Sequence, residues 1–297
     1  MEYNKQAIGI SDQIAMLKAR GLAFADEQKA QQILATVSYF RIAAFLRPME
    51  ADKTTHQYKP DASFEKAIAL YEFDTELREL VFRGISRIEI ALRTKMIHHF
   101  SMKHGAFWFL NMRLCSNEHL FLENLTAIDR EINRSKEDFI KEHFQKYDKP
   151  AFPPAWKTME LLSLGTLAKL YFNASDTKVK KAIAREFGHP NHLALESWMT
   201  SITALRNHCA HHARVWNRNY PVTPVLPKRL RGAWLNNNNV VFNKLYPQLC
   251  CIAYWLRTID LQNDFATNLK ALLEKYPTVD TTAMGFPKDW LKEPLWV

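Results

Sequence analysis

The chain has 297 residues, of which 47% are hydrophobic and only eight are glycine, a composition that excludes a disordered or collagen-like chain and favours a compact helical protein. Its 40 Lys and Arg outnumber its 31 Asp and Glu, for a formal net charge of +9. Its four cysteines lack metal or disulfide spacing, its apolar runs are too short to span a bilayer, and its start lacks a signal peptide's apolar core. We therefore expect a cytoplasmic protein with no membrane partner.

The periodicity of the apolar residues predicts helices along most of the chain. In chain order, these helices cover about residues 11–20, 26–47, 64–104, 118–147, 156–172, 178–187, 192–216, 246–259 and 264–276. Between them we predict a polar loop over 50–60, a proline-rich loop over 221–227, a turn over Asn236–Asn239 and an extended aromatic tail to Val297. With no convincing strand series, the predicted fold class is all-α.

Positive charge is concentrated late in the chain. From Ser197 through Ile259 the sequence has no Asp or Glu but eight Arg and Lys residues. A positive field of this kind, with histidines inside it, indicates a polyanionic partner. The second half of the long 64–104 helix is also basic, with Glu89 as its single acid, and we interpret those charges as a solvated helix face.

The segment Leu205–Arg218 holds three histidines and three arginines in fourteen residues. On a helical wheel, apolar residues form a core stripe that begins before this segment and continues through it. A second stripe lies roughly opposite the core stripe. The second stripe consists of Asn207, His211, Arg214 and Arg218. His211 is therefore predicted to face solvent, another element or another subunit, whereas His212 lies at the edge of the core stripe, as a packing residue would.

The wheel leaves two points open. Arg206 lies about 140° from His211, which puts it within the core stripe. Either its stem runs along the apolar surface and brings the guanidinium round, or the two residues act together from different copies. His208 and His212 have the i, i+4 spacing of a zinc helix, but carboxylate ligands are absent nearby. We therefore predict no metal, and Cys209 on the core stripe is no candidate nucleophile.

Arg206-Asn207-His208-Cys209-Ala210-His211 matches the R-x4-6-H motif of the HEPN superfamily. The surrounding sequence, Arg-Asn-x-Cys-Ala-His-His followed by Trp216-Asn217-Arg218, resembles the Abi-like (abortive infection) family of bacterial phage-defence proteins. The resemblance continues at several other positions along nearly the whole chain. These are Tyr39-Phe40-Arg41, the segments 70–78 and 88–93, Pro153-Pro154-x-Trp156, the segment 160–165 and the segment 284–290.

The resemblance implies a HEPN-type helical bundle over about residues 61–260, with an N-terminal helical extension over 1–60 and a C-terminal helix and aromatic tail over 261–297. It also implies a homodimer in which the motif helices of two subunits meet in one composite site. HEPN ribonucleases cut RNA without a metal or other cofactor, by attack of the ribose 2′-hydroxyl on the adjacent phosphorus. The products carry a 2′,3′-cyclic phosphate and a 5′-hydroxyl.

Carried over position by position, the motif makes Arg206 and His211 catalytic and Asn207 supporting. Arg214 and Arg218 are candidates for binding RNA phosphates, although Arg218 is equally expected to pair with another helix. Further candidates are His208, His212 and Arg93. The competing function is an RNA-binding scaffold without nuclease activity, or a partner in a toxin–antitoxin pair bound to a small noncoding RNA. A third possibility treats the basic window as a dimer surface with solvated charges.

Overall fold

The computed structural model describes residue 2 and residues 6–237, 240–260 and 262–297. It is 63% helical, with twelve α-helices and one two-stranded sheet among the described residues, so the predicted all-α class is confirmed. No described helix combines the length and apolar character that a membrane span needs. The HEPN-type arrangement and the boundaries near residues 60 and 260 stay predictions.

The chain divides into two compact units. The first comprises Met1–Leu77 with Leu272–Val279, and the second comprises Arg78–Ala271 with Asp280–Val297. The elements that begin in the first unit are α1 (Ile10–Ala19), α2 (Glu27–Thr36), α3 (Tyr39–Leu46), β1 (Glu50–Asp52), β2 (Gln57–Tyr58) and α4 (Phe64–His104).

Local chemistry sets the boundaries in the first unit. Gly21, with φ +88°, follows the end of α1, and the Asp26 carboxylate accepts a hydrogen bond from the Lys29 amide (2.9 Å) to begin α2. The predicted single helix over 26–47 is wrong, because the backbone is extended at Val37 and α3 begins separately. The predicted loop over 50–60 contains the hairpin β1–β2, whose turn is tied by the Asp52 carboxylate.

The second unit contains the rest of α4 and the later helices. These are α5 (Glu118–Arg134), α6 (Asp138–Lys146), α7 (Ala155–Thr158), α8 (Leu164–Asn173), α9 (Thr177–Glu186), α10 (His192–Ala210), α11 (Tyr246–Ile259) and the start of α12 (Phe265–Lys275). α10 packs against α8, α9 and α11, and its residues Leu195, Trp198, Met199, Ile202 and Leu205 are fully buried. The helix that carries the motif therefore lies at the centre of this unit's core.

Several predicted boundaries in the second unit are corrected. The helix predicted over 118–147 is two helices, because the backbone is extended at Ser135 and Glu137. The stretch 156–172 is split by a 3₁₀ turn before α8. Gly165 lies in the first turn of α8, where an added Cβ would lie 3.7 Å from Thr203 on α10. The prediction for α11, with Pro247 in its first turn, is confirmed.

The C-terminal tail is not extended as predicted. It forms three 3₁₀ turns over 282–296, because its aromatic side chains fold back on α11: Trp296 donates to the Tyr246 hydroxyl (3.0 Å), and Phe286 packs on the same ring. The turn predicted at Asn236–Asn239 falls partly on Asn238 and Asn239, which lie outside the described residues.

Candidate active site at the end of helix α10

Helix α10 ends at Ala210, six residues before the predicted end at Trp216. The His212 amide donates to the Cys209 carbonyl (3.0 Å), and the Ala213 amide donates to the His208 carbonyl (2.9 Å). This pair of bonds is a Schellman motif, which stops a helix with one residue in the left-handed conformation. His212 is that residue, at φ +53°, although glycine is the usual choice there.

The early end of α10 removes the predicted helical stripe beyond His211. Arg214 and Arg218 lie in the irregular segment that follows, where the Arg218 guanidinium donates to the Arg214 carbonyl (3.3 Å). Val215, Trp216 and Tyr220 are buried, and the Tyr220 hydroxyl donates to the Val215 carbonyl (3.0 Å). Burial of these side chains favours the irregular backbone that follows α10 over a continued helix.

Two residues of the motif, Asn207 and His211, are accessible to solvent. Asn207 and His211 are exposed, and the His211 amide donates to the Asn207 carbonyl (3.0 Å), which puts the two residues one turn apart. His211 therefore faces outward as predicted. His212 is also exposed, so the prediction that it is a packing residue is wrong.

Arg206 reaches from α10 toward α4. Its guanidinium carbon lies 5.7 Å from the centre of the Phe82 ring, and its Nε lies 3.9 Å from the Glu89 carboxylate. The side chain is 30% exposed. A cation over an aromatic face and next to a carboxylate is held in place. In the single chain the Arg206 side chain therefore lies toward α4, and both alternatives for how it acts with His211 stay predictions.

Glu89 is the centre of a small charge network. Its carboxylate pairs with the Arg93 guanidinium at 3.2 Å, and Arg93 also donates to the Leu162 carbonyl (3.0 Å) and lies 3.6 Å from Glu160. The Glu89 and Arg93 side chains are only 14% and 12% exposed. At these two positions the interpretation as a solvated helix face is wrong. One carboxylate thus lies between Arg93 and the motif arginine.

His208 lies on the inner side of the motif. Its ring packs edge-on against Tyr220, with 5.8 Å between centroids. Burial, followed by the charges of Arg218 and His211, lowers the pKa of His208, which favours the neutral imidazole. His208 and His212 gain no third ligand, since the described part of the chain holds no group of three metal-binding side chains.

Glu89 and Phe82 were not among the residues singled out from the motif. The sequence contained a signal for Glu89, because it is the single acid in the basic half of α4. Nothing in the sequence paired it with Arg206, which is more than a hundred residues away. Asn207 and His211 are brought together by the helix itself, whereas Arg206 is positioned by α4.

Comparison with known proteins identifies a family. The family model described as "Abi-like protein" matches residues 32–217, which is more than half of the chain and includes the whole stretch from Leu205 to Asn217. The chain matches no curated protein and no solved structure.

Proposed function

Because the chain belongs to the Abi-like family, we propose that it is an abortive-infection effector of bacterial phage defence that cleaves RNA at the end of α10, without a metal. The observation that carries the proposal is the arrangement of the motif. Arg206, Asn207 and His211 lie within six positions at the end of one helix, with Asn207 and His211 exposed and Arg206 held by groups on α4.

The residue types suit transesterification of RNA. Histidine, with an ordinary pKa of about 6.5, can take a proton near neutrality. In the proposed step His211 removes the proton of the 2′-hydroxyl, the 2′ oxygen bonds to phosphorus and the bond to the 5′ oxygen breaks. The 5′ oxygen takes a proton from the imidazolium or from water, which leaves a 2′,3′-cyclic phosphate and a 5′-hydroxyl.

Arg206 and Asn207 would stabilise the phosphorane. A guanidinium offers a permanent positive charge and a fork of N–H donors, and an exposed amide can orient the phosphate or the imidazole. Glu89 would act through Arg206, as a positioning residue that never touches RNA. Arg214 and Arg218 follow the motif and are proposed to bind neighbouring phosphates from the irregular segment.

A second copy of the chain is proposed to complete the site. Phe82 and Ile90 lie two turns apart on α4, and their side chains are 37% and 59% exposed. Phe82 is the ring over which Arg206 lies. Exposed apolar side chains next to a polar site favour an interface, and a symmetric pairing there would bring two motif segments together.

The test is RNA cleavage in the presence of EDTA. We expect the unaltered chain to cut RNA, and His211→Ala or Arg206→Ala to cut at least 100-fold more slowly. His119→Ala is the matched control, because His119 is an exposed histidine on α5. Labelling should detect 5′-hydroxyl and 2′,3′-cyclic ends. Undiminished cleavage in both motif variants would contradict the proposal.

The competing function, a scaffold that holds a small noncoding RNA, is favoured by the positive field alone. Eight positive charges and no carboxylate lie between Ser197 and Ile259, and a field of this kind binds RNA whether or not a histidine cuts it. Copurification of one defined, uncut RNA with the unaltered chain would support the scaffold over the nuclease.

A further inference from the structure

A second basic site lies at the opposite end of α10 from the motif. Arg185 near the end of α9, the turn 188–190 and the loop 229–231 surround an open cavity of about 330 Å³. That volume lies within the range of small-ligand sites. We call this cavity the arginine pocket. Nineteen residues of α10 separate it from His211, a helix length of roughly 27 Å.

The described lining of the pocket is positively charged and holds no acid. Arg185, Arg229 and Arg231 contribute three guanidinium groups, and no Asp or Glu is among the lining residues. All three arginines are exposed, and within the described residues their guanidinium groups have no hydrogen-bond or ion-pair partner. Three free guanidinium groups around one cavity attract an anion with several oxygen atoms.

The walls of the pocket are fixed from below by Tyr254 on α11. Its hydroxyl lies between the two walls, 3.1 Å from the Gly188 carbonyl and 3.0 Å from the Arg231 carbonyl, and its one proton is donated to either of them. Gly188 has φ +75°, and a Cβ there would collide with the Tyr254 ring. The turn therefore needs glycine to lie this close to the tyrosine, and the two arginine-bearing segments keep their spacing.

One residue of the pocket lining has a buried donor without a partner. His189 is 2% exposed, and its Nε2 accepts a hydrogen bond from the Trp255 indole (2.8 Å). Nε2 is therefore unprotonated, and the neutral ring carries its proton on Nδ1. Nδ1 is buried and has no partner among the described residues. A buried orphan donor is costly, and a ligand in the pocket that His189 lines could satisfy it.

We infer that the arginine pocket binds a phosphate group, carried either by an RNA strand or by a nucleoside triphosphate. A phosphate offers several oxygens to the guanidinium groups. The RNA source rests on the proposed function, whereas the nucleotide source does not. In either case the phosphate lies away from His211 and takes no part in cleavage.

The experiment measures binding in a His211→Ala chain, so that RNA stays intact whether or not the motif cuts it. The probes are a short fluorescent single-stranded RNA and a fluorescent adenosine triphosphate, followed by anisotropy over a range of salt concentrations. The test variant is Arg185→Gln with Arg229→Gln. The matched control is Arg130→Gln with Lys136→Gln, which removes two exposed charges of the same unit outside the pocket.

We expect the test variant to bind at least one probe ten times or more weakly, and the control to bind within about threefold of the parent. For RNA, the slope of log K against log salt should become shallower by about 1.4, since each phosphate contact to a single strand contributes about 0.7. If the test variant weakens only RNA binding, the ligand is an RNA strand. If it weakens only binding of the triphosphate, the ligand is a nucleotide. Equal effects of the test and control variants, or no binding of either probe by the parent, would overturn the inference.

Discussion

Glu89→Gln tests how the charge network holds the motif arginine. The substitution keeps the size of the side chain and removes the one negative charge that lies 3.2 Å from Arg93 and 3.9 Å from Arg206. Two guanidinium groups would then share a partly buried site with an uncharged amide, although Arg93 would keep Glu160 at 3.6 Å. We expect a loss of stability and a separate loss of RNA cleavage.

The magnitude follows from the two distances. At an effective dielectric constant of about 20, unit charges at these separations attract by about 5 and about 4 kcal/mol. Most of this is offset by the desolvation of three charged groups, which leaves a net loss of about 2 kcal/mol on removing the carboxylate charge. For a unit of this size, that lowers the melting temperature by roughly 4–8 °C.

Urea denaturation measures the first effect, and a cleavage assay well below the melting temperature measures the second. Glu123→Gln is the control, because Glu123 is a half-exposed acid that pairs with His119 on α5, and it should change stability by less than about 0.5 kcal/mol. Glu89→Gln should also lower kcat about tenfold or more, because Arg206 loses its anchor.

The double variant Glu89→Gln with Arg206→Ala separates positioning from general damage. If Glu89 acts through Arg206, the double variant cleaves no more slowly than Arg206→Ala alone, because the effects of coupled residues do not add. A Glu89→Gln chain whose stability and kcat both match the unaltered chain would refute the reasoning from the charge network.

Three further predictions concern the turns and the buried histidine. His212→Gly should stabilise the fold by about 0.5–1 kcal/mol in urea denaturation, since glycine adopts the left-handed conformation without strain. It should keep RNA cleavage within about twofold, whereas His211→Gly should abolish cleavage. A large loss of cleavage in His212→Gly would make that histidine catalytic. Gly188→Ala should lower the free energy of unfolding by about 2 kcal/mol or more, and Gly232→Ala by about 1 kcal/mol. Both glycines have positive φ, but of the two only Gly188 faces a side chain that a Cβ would strike. Equal losses of stability would contradict the close approach of Gly188 to Tyr254. Burial lowers the pKa of His189 to about 4. The unfolded chain, in which this histidine has its ordinary pKa of about 6.5, therefore binds the proton more readily than the folded chain. Stability is lost as the pH falls from 6.5 toward 4, by up to about 3 kcal/mol. His189→Gln should lose correspondingly less between pH 7 and pH 4.5, and an identical loss would show that this group is not the cause.

The all-α class and most of the helices could be predicted from the sequence because their causes are local. The apolar spacing of α4 persists over 41 residues, and α11 begins at a tyrosine–proline pair that suits a first helical turn. The breaks inside 26–47 and 118–147 were missed, since the apolar pattern continues across an extended residue without an obvious signal.

The end of α10 shows why the candidate site was only partly predictable. The helical wheel was drawn for a helix that continues to Trp216. Instead the helix stops where His212 adopts the left-handed backbone conformation, and Val215 and Trp216 are buried beyond it. Only tertiary packing makes that conformation favourable. The outward position of His211 did not depend on the error, because it lies one turn after Asn207 and the helix is intact up to Ala210.

Arg206 needed information from outside its own helix. Its predicted place within the core stripe agrees with its partial burial, but the carboxylate and the aromatic ring beside it come from α4. The contact of a lone acid with a distant arginine is set by how two helices cross, which the pattern of either helix does not specify.

The measurement that tests the central claim most directly is complementation between two inactive variants in EDTA. Arg206→Ala and His211→Ala chains are purified, denatured together, refolded and assayed for RNA cleavage. If Arg206 of one copy works with His211 of the other, half of the dimers are mixed and each mixed dimer has one intact site, so the mixture should cleave at about a quarter of the rate of the unaltered chain. A mixture as inactive as the separate variants, beside an active unaltered chain refolded in the same way, would contradict a site shared between two copies.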